Sequence, residues 1–233
     1  MHARLTYYIG ILVVLILWGC EPSREYDGYG IFTQEQRESA ENIVKSMNLR
    51  QLEMLAAITT RGESRDTVLL QSQVACRQLA TKNRHEANFT KAIEYARMSY
   101  VKSMTMGDTL EILRSLNELG TCFRRIAALT EALDYHYRAL TVANAYSDTM
   151  DILIKKAQTS ALNGVGNIAL KMNNLSEAKR CFSESLVKDR ELGSLIGMAI
   201  NYANLGSIMQ TEEKYDSALY FFQKSYILNE QCG

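Results

Sequence analysis

The side chains able to do chemistry in this 233-residue sequence are few and scattered. Its three histidines, His2, His85 and His136, form no cluster with metal-ligand spacing. The five cysteines, Cys20, Cys76, Cys122, Cys181 and Cys232, include no Cys-x-x-Cys pair. The last four read as free thiols packing like small apolar residues, although an oxidising compartment would permit a disulfide that spacing cannot assign. Gly164-Val165-Gly166-Asn167-Ile168-Ala169 fits the loose pattern G-x-G-x-x-A. That pattern cradles a pyrophosphate only where a strand feeds a helix at the first glycine. Here it lies within a stretch of helical spacing, so close packing is its expected role. No Ser/His/Asp or Cys/His set can be assembled, and carboxylates such as Glu177 and Glu184 are spaced like a solvated helix face. The expectation is a protein that is not an enzyme and uses no cofactor or metal.

Composition narrows the class further. The chain is 47% hydrophobic and 22% charged, with 26 Lys+Arg against 26 Asp+Glu. Such a balance excludes a disordered tail and a nucleic-acid binder held by bulk charge. One proline and 13 glycines leave too few turn formers for an all-β sandwich or barrel, so helix is expected throughout.

A short pattern recurs along the chain: Asn88-Phe89-Thr90-Lys91-Ala92, Ala128-Leu129-Thr130-Glu131-Ala132, Asn174-Leu175-Ser176-Glu177-Ala178 and Lys214-Tyr215-Asp216-Ser217-Ala218, with a weaker copy at Asn48-Leu49-Arg50-Gln51-Leu52. From Leu49 through Phe89, Leu129 and Leu175 to Tyr215 the steps are 40, 40, 46 and 40 residues. Thirteen residues before each of the last four alanines stands an apolar residue followed by a small one: Leu79-Ala80, Leu119-Gly120, Val165-Gly166 and Leu205-Gly206. Small residues there let two helices approach closely, which makes each unit a helical hairpin. Phe182 and Phe222, each four residues beyond the alanine, extend an apolar stripe on the second helix. Asp108-Thr109-Leu110-Glu111 and Thr33-Gln34-Glu35-Gln36 have the form of capping boxes; Asp66, Asp148 and Ser194 are further N-cap candidates, and Gly107 and Gly193 suit helix stops.

These residues resemble the tetratricopeptide repeat (TPR). The best match runs Leu116, Leu119-Gly120, Phe123, Leu129, Ala132 and Ala139, with His136 where an aromatic is usual. The next units offer Leu162, Val165-Gly166, Ala169, Leu175, Ala178, Phe182 and Ser185, then Tyr202, Leu205-Gly206, Met209, Tyr215, Ala218, Phe222 and Ser225. The units are longer than the family's usual 34 residues and lack its proline. The resemblance implies an all-α, right-handed TPR-like solenoid of about five hairpins, with approximate units 34–65, 66–107, 108–147, 148–193 and 194–233. Gly233 falls 40 residues after Gly193, where another inner helix should begin. The expectation is therefore a last helix left partly uncovered, or the front piece of a longer protein.

In the family, function sits in the groove lined by the inner helices. The matching positions here are Val74, Arg77, Thr81 and Arg84; Arg114, Asn117, Thr121 and Arg124, with Arg125 adjacent; Ser160, Asn163, Asn167 and Lys171; and Ile200, Ala203, Ser207 and Gln210. A mildly basic groove with few acidic residues is expected. Asn117, Asn163 and Asn167 would clasp an extended peptide's backbone, and Arg77, Arg114 and Arg124 would pair with its carboxylates. The competing reading is a merely solubilising polar face.

The first residues carry a separate signal. His2 and Arg4 precede an apolar run from Tyr7 to Trp18, about 18 Å long as a helix against a ~30 Å hydrocarbon core. This reads as a signal peptide over residues 1–19. Leu17-Trp18-Gly19-Cys20 resembles a bacterial lipobox, which implies a lipidated Cys20 as the first mature residue, with Trp18 departing from the small residue usual there. An uncleaved anchor or an ordinary signal peptide is the alternative. Residues 20–33, holding the single proline, read as a tether. Two functions follow as expectations. The first is a cell-envelope lipoprotein facing the periplasm or exterior, whose groove binds a protein or peptide partner. The second is the N-terminal sensor part of a membrane-bound TPR-containing transcriptional regulator or kinase. Nucleic acid is not an expected partner of this segment.

Overall fold

The computed structural model describes residues 32–58, 66–146 and 151–232. The signal peptide, the lipobox with Cys20, most of the tether and the cap candidate Asp148 lie outside the described residues. Among those described there are ten helices and no strand. They are α1 (Gln34–Lys45), α2 (Leu49–Ala56), α3 (Asp66–His85), α4 (Phe89–Met106), α5 (Thr109–Arg125), α6 (Leu129–Asn144), α7 (Ile152–Lys171), α8 (Leu175–Glu191), α9 (Leu195–Thr211) and α10 (Tyr215–Cys232). None of them is long and apolar enough to cross a membrane. Phe32, at the end of the expected tether, is buried beneath the Arg37 guanidinium, so the folded part already includes it.

Helices α3 to α10 form four hairpins, and each outer helix (α4, α6, α8) also packs against the inner helix that follows it. The shorter α1 and α2 both lie on α3. Apolar clusters run along the whole array, from Val44, Leu55 and Leu70 at the start to Phe182, Leu205 and Ile208 near the end. Helices of 16 to 20 residues from α3 onward account for a repeat longer than 34.

Local chemistry sets the helix ends. Thr33 and Gln36 form the expected reciprocal box: the Gln36 N–H donates to Thr33 Oγ1 (3.2 Å) and the Thr33 N–H to Gln36 Oε1 (2.8 Å). Asn48 and Gln51 make a second one. Asp108 caps α5 through the Glu111 N–H, but Glu111 does not reach back; arginines hold its side chain instead. Ser194 caps α9, and Asp151 caps α7. Gly107 and Gly193 take φ of 69° and 64° at the stops of α4 and α8. The turns inside the hairpins are different. Ala87, Ala127, Asn173 and Glu213 adopt φ of 57° to 61°, and the next residue's N–H closes back on the inner helix, as Ala128 does to the Phe123 carbonyl (3.1 Å).

The small residues of the repeat face the ring opposite. A Cβ on Gly120 would lie 2.6 Å from His136 Nε2, and one on Gly206 2.8 Å from Phe222 Cε1. Gly164 and Gly166, the dinucleotide-like glycines, lie mid-helix in α7; Gly164 abuts the His136 ring and Gly166 the Phe182 ring. No strand precedes them among the described residues, and packing accounts for both.

Candidate groove on the inner helices

The expected groove residues lie on consecutive inner helices: Arg77 and Arg84 on α3, Arg114, Asn117, Thr121 and Arg124 on α5, and Asn163, Asn167 and Lys171 on α7. Two recesses open along this face. One of about 540 Å³ lies between α1 and α3, bordered by Glu41, Arg77, Gln78 and Lys82. The other, of about 320 Å³, is bordered by Arg77 and Thr81, by Arg114, Asn117, Glu118 and Thr121, and by Lys156 and Ser160.

Val74 is not a groove residue. It is 1% exposed, because α1 and α2 cover that part of α3. The front of the groove is also not the acid-poor surface that the spacing suggested. Arg77 Nη2 pairs with Glu41 Oε1 at 2.9 Å, and Arg114 Nη1 meets Glu111 Oε1 at 2.8 Å and Glu41 Oε1 at 3.6 Å. Arg37 bridges Asp108 and Glu111 from beneath. Burial alone would push the Glu111 carboxyl up, but Arg77, Arg114 and Arg37 around it outweigh that and hold it below the usual carboxylate range. Arg84 donates to Glu118 Oε1 at 3.0 Å, which Thr81 also approaches at 3.4 Å. These arginines are therefore neutralised within the chain.

The amides divide in the same way. Asn117 Nδ2 donates to the Ala157 carbonyl (2.8 Å), and Asn117 Oδ1 sits 3.2 Å from His136 Nδ1, so this side chain ties α5 to α7 and α6. Asn167 Nδ2 donates to the Asn163 carbonyl (2.7 Å) and Thr121 Oγ1 to the Asn117 carbonyl (2.9 Å). Asn163 differs: its Oδ1 is buried with no protein partner. Arg124 makes no hydrogen bond or ion pair among the described residues; burial, with Arg125 and Arg84 near it, draws its pKa below the ordinary arginine value. Lys156 and Lys171 are exposed. Among the expected groove residues, Arg124 and Lys171 are thus the cations without an acidic partner among the described residues. On α9, Ile200 and Gln210 are exposed, whereas Ala203 and Ser207 are half-buried.

His136 fills the slot expected for an aromatic. It is 1% exposed, and burial first and Arg124 second pull its pKa down to about 4. Cys76, Cys122 and Cys181 are free, buried thiols pushed up to about 11, 12 and 12 by burial first of all, and Cys232 is exposed. The charge network around Glu111 was hidden in the sequence because its members, Arg37, Glu41, Arg77, Asp108 and Arg114, come from three separate units. The only trace was the Asp108/Glu111 pair, which reads as a cap.

No protein-family model matches this sequence, and no curated protein does either. Solved structures do. BtubC (BKLC) of P. vanneervenii superposes with a TM-score of 0.62 at 14% identity, over 99% of this chain and 86% of that one. A kinesin light chain protein of Podosopora anserina with nearly identical TPR-like repeats gives 0.55 at 13%, over 85% and 95%. The Rap conjugation gene regulator of plasmid pLS20, solved with the Phr* peptide, gives 0.59 at 14%; the match takes in 82% of this chain and 57% of the regulator. By architecture, this chain is an all-α, TPR-like solenoid.

Proposed function

We propose that this chain is a non-enzymatic cell-envelope lipoprotein, anchored through a lipidated Cys20, whose groove binds an extended segment of a protein or peptide partner. The observation that carries the binding half is the recess spanning α3, α5 and α7, bordered by Thr121, Lys156 and Ser160, with Arg124, an arginine without an acidic partner among the described residues, one turn beyond Thr121 on α5. Such a surface offers a cation to a carboxylate and, through the exposed Ser160 hydroxyl, a donor and acceptor to a backbone amide. The Rap regulator, of similar fold, is solved with a peptide, which supports the reading. On this reading the partner lies along Thr121, Lys156 and Ser160 towards Arg124, while Arg77, Arg84 and Arg114 act mainly to join the units.

A photo-cross-linking residue replacing Ser160 in the full chain tests the groove, with the same probe replacing Arg138 on the outer helix α6. An adduct formed from position 160, absent from 138 and lost with Arg124→Glu, supports it; the same adducts from both positions reject it. The intact mass of the native protein tests the anchor. Residues 20–233 plus acyl groups support it, and an unprocessed chain rejects it. A much larger mass would replace it with the sensor part of a regulator or kinase.

A further inference from the structure

The hairpin α9–α10 is fastened to the array differently from the others. α3 packs directly on α5 and α5 on α7, but α9 makes no comparable contact with α7; it rests on α8 and on its own partner α10. The face between α8 and α9 therefore sets the angle of this hairpin. The chain passes from one helix to the other through Leu192, Gly193 and Ser194, with φ of 64° at Gly193 and the Ser194 N–H donating to the Asp189 carbonyl (2.8 Å).

A carboxyl group is buried in that face. Asp189 is 4% exposed and lies beside Ser185 and Asn201, both fully buried. Asn201 Nδ2 donates to Asp189 Oδ2 (2.7 Å) and to the Gly197 carbonyl (3.0 Å), and Ser185 Oγ donates to the same Asp189 oxygen (3.4 Å). The carboxyl fills the space that a side chain on Gly197 would need. At the joint between α4 and α5 the residues matching Asp189, Ser185 and Asn201 are Ser103, Ser99 and Ser115, and between α6 and α7 they are Ala143, Ala139 and Ala161. Of these three joints, the α8–α9 one alone holds an acid.

No cation pairs with it among the described residues. Lys155 of α7 turns to Glu191 (3.6 Å), Arg190 of α8 donates to Tyr202 Oη of α9 (3.4 Å), Lys156 of α7 and Lys188 of α8 enter no ion pair, and α9 carries no charged side chain. Donors are short as well, because Asn201 Oδ1 is buried without a partner. An ionised Asp189 thus places an unpaired charge inside the joint, whereas a protonated one is neutral and brings a further donor.

We propose that the α8–α9 face is a proton-gated hinge: with Asp189 protonated it holds the last hairpin at one angle, and with Asp189 ionised it loosens and the hairpin swings. Because α9 carries the last stretch of the groove face, the swing changes how that stretch stands to α7. Burial, the larger influence, raises the Asp189 pKa above its ordinary 3.8, and the hydrogen bonds from Ser185 and Asn201 only partly oppose it. In the opened joint water reaches the carboxyl and the ordinary value returns. The closed joint is therefore favoured in full below pH 3.8 and loses that preference as the pH rises through the raised value, about tenfold in the closed-to-open ratio for each pH unit between the two values.

The test uses the full chain with Cys20→Ser and Cys232→Ser, so that the buried Cys76, Cys122 and Cys181 are the remaining native thiols. Spin labels are attached at exposed outer-helix positions, through Val187→Cys with Ile227→Cys across the hinge and through Thr141→Cys with Val187→Cys across the all-alanine joint. Distances between labels 187 and 227, measured from pH 4.5 to 9, should be narrowly distributed at the acid end and broad at the alkaline end, while those between 141 and 187 should not change. Asp189→Asn, which keeps the shape without the charge, should give the narrow distribution throughout. If it loses helix content, Asp189→Ser, with the residue that the α4–α5 joint has there, is read instead. A distribution across the hinge that ignores pH, one that still follows pH in the uncharged variant, or equal responses at the two joints would each overturn the hinge. None of these outcomes depends on the groove or the anchor.

Discussion

Gly166 and Phe182 occupy one shared space: a Cβ on Gly166 would lie 2.7 Å from Phe182 Cε1, and Phe182 is fully buried. The same sixteen-residue offset joins Gly120 to His136 and Gly206 to Phe222. It also joins Ala80 to Ala96, both fully buried, where a smaller outer residue leaves room for a larger inner one. Close approach of the two helices is thus set by the summed size of this pair, not by glycine alone.

Gly166→Ala should therefore destabilise the array. Overpacking costs about 1–3 kcal/mol, and alanine's helix preference returns about 1 kcal/mol of it. Gly206→Ala should be nearly neutral, because Phe222 is 36% exposed and can swing aside. Thermal unfolding of the two variants checks the contrast. Equal shifts would mean that the aromatic slot tolerates a methyl group at either end.

His136 should make the fold sensitive to mild acid. Its pKa falls from an ordinary 6.5 to about 4 on folding, for the burial and Arg124 reasons given above, so the unfolded chain binds the proton more readily. Stability is then complete above pH 6.5 and lost as the pH falls towards 4, by about 3 kcal/mol for the full shift. His136→Phe, the residue that the next two hairpins place there, should flatten that part of the profile. A profile between pH 6.5 and 4 that is the same with and without the imidazole would sink the assignment.

The period, the glycine–ring pairs and the stops at Gly107 and Gly193 were legible in the sequence, because each is a relation at fixed offset within one unit. Gly120 and His136 could be matched by counting. The α3–α5 charge network could not. Its six members come from three units, and helical spacing says which face Arg77 or Arg114 occupies but not that Glu41 reaches both from α1. Val74 failed for a related reason: its register is that of a groove residue, yet α1 and α2 fold over it. Groove positions were thus readable as places, while their charge state depended on neighbours about 35 to 75 residues away.

The left-handed turns give a prediction of opposite sign at two kinds of site. Ala127 holds φ of 61° without glycine's freedom, which costs roughly 1 kcal/mol. Ala127→Gly should therefore be neutral or slightly stabilising even though glycine raises the entropy of the unfolded chain. Gly193→Ala should cost about 1 kcal/mol, purely from φ of 64°, since nothing lies within 4 Å of the added carbon. Paired melting curves read both, and a stabilising Gly193→Ala would show that this stop is not held in the left-handed region.

Glu111 should be the most costly single charge to remove. It is 1% exposed among three arginines, and Glu111→Ala leaves the buried Arg37 with Asp108 as its one acidic partner and takes the nearest carboxylate from Arg114, which points to a loss of about 3 kcal/mol, the low end for a broken buried pair. Arg84→Ala breaks a pair whose side chains are 14% and 15% exposed and should cost less, about 1 kcal/mol. The two residues also differ in their response to pH. Although burial favours the neutral acid, the arginines hold the Glu111 carboxyl below its ordinary 4.5 in the fold, so its contribution is present above pH 4.5 and disappears as the pH falls through the lowered value. Glu111→Gln should thus lower stability at neutral pH and flatten the acid limb below 4.5, leaving the His136 loss between 6.5 and 4 in place. Urea midpoints measured from pH 7 to 3 separate the two limbs, and an unchanged limb below 4.5 would show that the arginines do not hold Glu111 ionised.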